Sequence, residues 1–320
     1  MMELYTSLNV DYNNDISEWR EIEHQMKCLA EAGFTHTSWM HDWDGEYLYS
    51  PSEMLYARDL LKHYGIKSHT CHGTEGGIRN KNQGESCMCT RKDFTNSNLY
   101  IREAGVDLVK NRIDFCTHIG AEVLVLHMSI PFRVFQRNQD AMEEYYRQVY
   151  CSFDKIQPYA KDAGVKIALE NHVVIPAEFQ QDKFDRMFDR YDESYMGMCW
   201  DSGHATISNY NNFYELLERY GNRLIATHLH DNDSIDPKNF DNESLALKAD
   251  KHRTPFTGIL DWKKVAYWVA KAPLDLPADF EVCLQYGTKY TSKEEEMAAL
   301  AQVHGAAERF QEMVLADKEA

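Results

Sequence analysis

Six of the fourteen histidines in this chain, at 72, 127, 172, 204, 228 and 230, fall at or within three residues of the C-terminal end of a short candidate strand. Two apolar runs end in a carboxylate instead: KIALE closes on Glu170 and GMCWD on Asp201. A carboxylate at the end of an apolar strand is desolvated, and costly unless a cation or a partner meets it. With His228, which closes ATH, these two form an O,O,N donor set suited to one divalent cation: Mn first, with Mg, Co or Zn as alternatives. Gln285, in EVCLQ, can add an amide oxygen but no charge, which leaves the ion less neutralised and a stronger polariser of a bound oxygen. Glu281, four residues earlier, points to the same side but deeper; it reads first as a paired wall carboxylate and otherwise as a substitute ligand. For each histidine taken alone, a hydrogen-bonded wall residue is the competing reading.

These donors converge only if their strands share one opening. Candidate strands run over Glu3–Asn9, Thr35–Met40, Ile66–His72, Glu122–His127, Lys166–Asn171, Gly197–Asp201, Leu224–His230 and Phe280–Tyr286. Helical spacing of apolar residues marks 16–32, 52–64, 97–118, 138–163, 177–190, 211–220, 261–271 and 292–315. Gly33, Gly65, Gly120 and Gly164 each follow a helical run and precede a strand, where a C-cap glycine belongs. Eight strand–helix repeats without a composition break, and no GxGxxG after the first strand, predict an α/β protein: a single-domain (β/α)8 TIM barrel over 1–320. The segments Gly73–Thr95 and Asp231–Gly258 are predicted long βα loops after strands three and seven, on the face where barrels keep their chemistry.

The composition narrows the function. With 43% hydrophobic and 27% charged residues over 320 positions, a core can form without disulfides or structural metal. A net charge of −17 argues against nucleic acid and anionic membranes as partners. No basic start precedes an apolar run, and no stretch nears 18 apolar residues, so neither a signal peptide nor a membrane span is expected. The eight cysteines are scattered. Only Cys87 and Cys89 lie close, and one intervening residue makes a poor zinc chelate. Free thiols predict a reducing, cytoplasmic setting.

The runs Glu170-Asn171-His172, Asp201-Ser202-Gly203-His204 and His228-Leu229-His230-Asp231, then Asp250 to Gly258 leading to Asp261-Trp262, resemble the xylose-isomerase-like barrel superfamily. That group holds sugar isomerases, ketose 3-epimerases, inosose dehydratases and zinc-dependent apurinic endonucleases. The resemblance implies a metal held by Glu170, Asp201 and His228, with Gln285 where a final glutamate is expected. Epimerases use that glutamate as an acid/base, which an amide cannot be. His72, His127, His204, Asp250 and His252 match endonuclease ligand positions, while the charge and the missing carboxylate oppose that reading. A glutamine fourth ligand is similar to the large subunit of bacterial C-glycoside deglycosidases, which cleave 3-keto-C-glucosides by elimination with a small β-sandwich partner subunit. Assembly into an oligomer is also expected.

The chemistry such a set supports is removal of a proton beside a sugar carbonyl, with one base titrating near neutrality. His172, two residues beyond a ligand, and His127, ending strand four, are the candidates. His72, His204 and His252 are predicted to hold substrate hydroxyls, the last two alternatively a second metal. Trp39, Trp43, Trp200 and Phe132 are aromatic residues able to pack on a sugar face, with core packing favoured for Trp200.

Overall fold

A computed structural model of the protein describes residues 5–12, 19–41, 46–74, 91–173, 175–208, 212–240, 242–273, 278–284 and 292–319. The chain alternates strand and helix as its periodicity predicts. The first half holds β1 (Ser7–Leu8), α1 (Trp19–Ala32), β2 (His36–Trp39), α2 (Pro51–Tyr64), β3 (Lys67–His72), α3 (Leu99–Ile119) and β4 (Val123–Leu126). Next come α4 (Phe132–Phe135), α5 (Gln139–Ala163), β5 (Lys166–Glu170), α6 (Ala177–Arg190), β6 (Met196–Asp201), α7 (Ser202–Thr206) and α8 (Glu215–Tyr220). The chain closes with β7 (Leu224–His228), α9 (Glu243–Ala249), α10 (Trp262–Ala270), β8 (Asp279–Phe280) and α11 (Lys293–Glu319).

Local signals set the helix ends. Ser50 and Glu53 form a reciprocal capping box at the start of α2, with Pro51 in the first turn. Asn98 and Asn138 cap α3 and α5 by accepting two backbone N–H bonds each. The four glycines expected to end helices do so at positive φ, Gly65 at 69° and Gly164 at 71° among them.

The strands pair in parallel in the order β7-β6-β5-β4-β3-β2-β1-β8, and a bridge between Leu229 and Phe280 joins the two ends into a barrel. Small apolar side chains (Val123, Val125, Ala168, Cys199, Ile225 and Ala226) form one buried cluster on four adjacent strands. A polar layer lies on the other side. Asp279 accepts hydrogen bonds from Ser7 and, at 2.5 Å, from Thr70, whose own oxygen is 2.9 Å from that of Ser38. A register shift opposite Thr37 and Ser38 leaves His69 as an extra residue in β3. Both His69 and Thr70 therefore reach Asp279.

The eighth strand departs from expectation. It ends at Phe280 rather than continuing to Tyr286. The Glu281 amide still donates to Leu229, but Val282 turns to the Asn9 side chain, Cys283 to the His252 carbonyl and Leu284 to the Tyr12 carbonyl. Loops, not strands, take up the backbone of this apolar segment. Of the two long loops, 75–90 falls outside the described residues. The loop after β7 contains α9 and is pinned by paired backbone bonds between Asp231 and Arg253. No described helix is long and apolar enough to cross a membrane.

Candidate metal centre

His72, Glu170, Asp201 and His228 are the last residues of their strands, and His127 follows β4 by one. All are buried, at 3% exposure or less. Glu170, Asp201, His228 and Glu281 each offer a donor atom within 4.8 Å of the others. Nδ1 of His228 lies 3.1 Å from Glu170 Oε2 and 2.9 Å from Glu281 Oε2. Glu281 thus stands with the three expected ligands at the rim. Expected deeper in the barrel, Glu281 instead stands just past the end of β8, which stops at Phe280, and it is paired with His228 and His252. Gln285 and Trp43 lie outside the described residues.

Two further donor groups flank this one. His72 and His127 reach Glu170 Oε2 at 3.3 and 2.9 Å. On the other side Asp250 is 3.3 Å from both His204 and His252. His230, stacked on His252 at 4.1 Å, sits 3.1 Å from both oxygens of Asp201 and orients that carboxylate. His252 takes φ 44°, a left-handed backbone rare outside glycine, which is sustained by the surrounding loop contacts.

Supporting groups fix the geometry. Asn171 exchanges two hydrogen bonds with the Asp201 backbone, locking the end of β5 to the end of β6. The amide of His204 donates to Asp201 Oδ1, so this carboxylate also caps α7. Behind β5, the fully buried Lys183 donates to the Glu170 carbonyl at 2.5 Å, and Gln180 donates to the His172 carbonyl at 2.6 Å. Neither was expected from the sequence. Their signal was available, since both interrupt the apolar stripe that α6 shares with Phe184 and Met187.

Charge sets what the group can hold. Burial pushes the Glu170 carboxyl up, but His127 and His228 outweigh it and the net direction is well below the ordinary value. Burial likewise opposes charge on His204, yet Asp201 and Asp250 hold it well above a free imidazole. His252 rises to about 9 on Asp250 and Glu281 despite its burial. His127 goes the other way, pushed by burial down to about 4. Four clustered acidic groups therefore demand compensating positive charge, from protonated imidazoles or from cations. Glu170 Oε2 and His228 Nδ1 make no well-directed hydrogen bond among the described residues, although they stand 3.1 Å apart and Glu281 Oε2 is 2.9 Å from the same nitrogen. Hard and borderline donors aimed at one space, without bonding each other well, fit a divalent cation.

The remaining expected residues divide. His172 borders the centre, its ring 4.7 Å from that of His127. His204 and His252 join through Asp250. Trp39 does not line an opening: it is fully buried, with its ring 5.1 Å from Phe115 and its Nε1 3.3 Å from the Tyr49 hydroxyl. Trp200 is fully buried, as favoured.

The family described as xylose isomerase-like TIM barrel matches residues 27–304. The uncharacterised protein y4fM of Sinorhizobium fredii is 31% identical over 298 residues, spanning 92% of this chain and 89% of that one. An inosose dehydratase of Clostridium perfringens is 27% identical over 127 residues, 37% of this chain and 41% of its own length. Among solved structures, a D-tagatose 3-epimerase-like protein superposes with a TM-score of 0.63 at 18% identity, covering 98% of this chain and all of that one.

Proposed function

Because the chain belongs to the xylose isomerase-like TIM barrel family, we propose that it is a divalent-metal-dependent enzyme that removes a proton from the carbon beside a sugar carbonyl. The observation that carries this reading is the convergence of Glu170, Asp201, His228 and Glu281 within mutual ligand distance at the strand ends. These four would hold the cation, Mn before Mg, Co or Zn. Bound there, a divalent cation supplies a Lewis acid that polarises a carbonyl or hydroxyl oxygen.

The chain's own residues would do the rest. His172 Nδ1 is 2.7 Å from the Val173 carbonyl, so it carries the hydrogen and leaves the lone pair on Nε2. That nitrogen is the proposed base. His127, held neutral by burial, is the alternative. His72, His204 and His252 would orient substrate hydroxyls. With Glu281 present, a carboxylate is available to return the proton, which supports isomerisation or epimerisation; elimination needs only that a leaving group depart instead. The finest form of the reading is a C-glycoside deglycosidase large subunit acting on 3-keto-C-glucosides with a small β-sandwich partner; it rests on chain size and on Gln285 as fourth donor, in the place given above to Glu281. The six described cysteines, all free, support a reducing, cytoplasmic setting.

The test is exchange of substrate α-hydrogen with deuterated solvent across ketohexoses, an inosose and a 3-keto-C-glucoside. Exchange that Glu170→Gln abolishes is expected. Turnover without exchange or a primary isotope effect refutes the reading.

One observation favours a second reading. The His72–His127–Glu170 and His230–Asp250–His252 groups beside the central four supply donors for more than one ion, as a multi-zinc phosphodiesterase would require. Metal analysis separates them: about one tight equivalent in this centre for the sugar enzyme, about three for the hydrolase, with cleavage of an abasic DNA oligonucleotide. The charge of −17 counts against the latter.

A further inference from the structure

We propose a second metal site on the outer wall of the barrel, taking a thiophilic divalent cation of the zinc type, built from His24 and Cys28 of α1 and Glu296 of α11. It is independent of the centre at the strand ends. His24 and Cys28 are four residues apart on one helix, so their side chains lie one turn apart on the same face. Glu296 comes from the last helix and stands beside both.

His24, Cys28 and Glu296 each offer a donor atom within 4.8 Å of the others, close enough to share one ion. His24 Nε2 is 2.9 Å from Glu296 Oε2, and Cys28 Sγ is 3.6 Å from the same nitrogen. Around a tetrahedral zinc with bonds of about 2.0 Å to N or O and 2.3 Å to S, an N,O pair spans about 3.3 Å and an N,S pair about 3.6 Å. For the His24–Glu296 and Cys28–His24 pairs, closing the ion in requires a shift of only a few tenths of an ångström. Cys, His and carboxylate together are a borderline-soft donor set that selects zinc over magnesium or calcium. Tyr12, fully buried behind the cluster, donates to Glu296 Oε1 at 3.0 Å and holds the carboxylate's second oxygen as an outer-shell partner. Cys28 and Glu296 are buried while His24 is half-exposed, which provides an entry path from solvent.

The position gives the ion a role. His24 and Glu296 are 272 residues apart, on the first and last described helices, so a bound cation would clip the two ends of the barrel wall together. Closing so long a loop constrains the unfolded chain as well as the folded one.

The experiment uses Co(II) and Zn(II) on the full chain. Expected is a near-ultraviolet thiolate-to-cobalt charge-transfer band that Cys28→Ser abolishes, with loss of one tightly bound zinc per chain and of a zinc-dependent rise in melting temperature. Cys199→Ser, which removes the thiol beside Glu170 and His228, should leave the band, and so should Glu170→Gln. His24→Ala, at a half-exposed position that leaves the core intact, repeats the zinc test should Cys28→Ser fail to fold. No band in the native protein, a band lost only in Cys199→Ser, or unchanged zinc stoichiometry in His24→Ala overturns the proposal. Because Glu170→Gln disables only the centre at the strand ends, failure of either site is read separately from failure of the other.

Discussion

Gly203 offers a way to disturb the proposed metal centre without altering a ligand. A methyl group added there would fall 2.6 Å from His230 Nε2, with Nδ1 and Cε1 of the ring nearer still. Carbon contacts relax at about 3.5–4.0 Å, so the imidazole must retreat by about 1 Å or more. It has little room. Its backbone is tied to Ser202 Oγ at both amide and carbonyl, and its ring is stacked on His252. Overpacking of this kind costs about 1–3 kcal/mol, and losing the His230–Asp201 hydrogen bond adds about 1.5–3. Gly203→Ala should therefore lower stability by about 3–5 kcal/mol, a fall in melting temperature of about 4–7 °C for a chain of 320 residues. Displacing the imidazole that orients Asp201 should also weaken metal binding by about 10–100-fold. Differential scanning calorimetry and titration against a competing chelator measure the two effects. Gly305→Ala is the control: nothing lies within 4 Å of its new methyl, so this helical site in α11 should gain about 0.5–1 kcal/mol. A Gly203→Ala protein with native melting and native metal affinity would refute the account of the centre.

Glu281→Gln should reduce metal affinity by more than the 10–100-fold typical of an outer-shell loss. Gln285→Ala should leave it unchanged, and the reverse pattern in chelator competition would make residue 285 the fourth donor. Lys183→Met removes a fully buried ammonium that burial holds down at about 7, so stability near pH 7 should hold or rise by about 1–4 kcal/mol. It also frees the Glu170 carbonyl, so metal affinity should fall; destabilisation in urea would mean that the hydrogen bond outweighs desolvation. His36 is pushed to about 4, chiefly by burial and then by His69. The unfolded chain takes that proton first, near 6.5. Stability from His36 is thus fully present above about pH 6.5 and is lost as pH falls toward 4. His36→Phe should flatten that part of the acid-denaturation curve, and an unchanged curve would exclude the residue.

Much of this molecule is determined by short-range information. Helix ends follow from residues close in sequence: Pro176 precedes the helix recovered as 177–190, and the Asn138 side chain caps the one recovered as 138–163 to within one residue. The strand-end positions of Glu170, Asp201 and His228 follow from a mainly apolar run that stops at a polar side chain. In a barrel all such ends face one opening. Local pattern stops being informative where the backbone finds distant partners. The sequence FEVCL continues the look of a strand, yet residues 282–284 are claimed by Asn9, His252 and Tyr12, and only that long-range bonding puts Glu281 at the rim. Trp39 reads as a sugar platform, and it is the packing of Phe115 of α3 against it that buries it in the core. The His24–Cys28–Glu296 cluster joins positions 272 residues apart, and Lys183 matters because of a carbonyl on another element. Periodicity reports which face of an element is buried; what that face meets depends on register and closure, which arise only when the eight strands assemble.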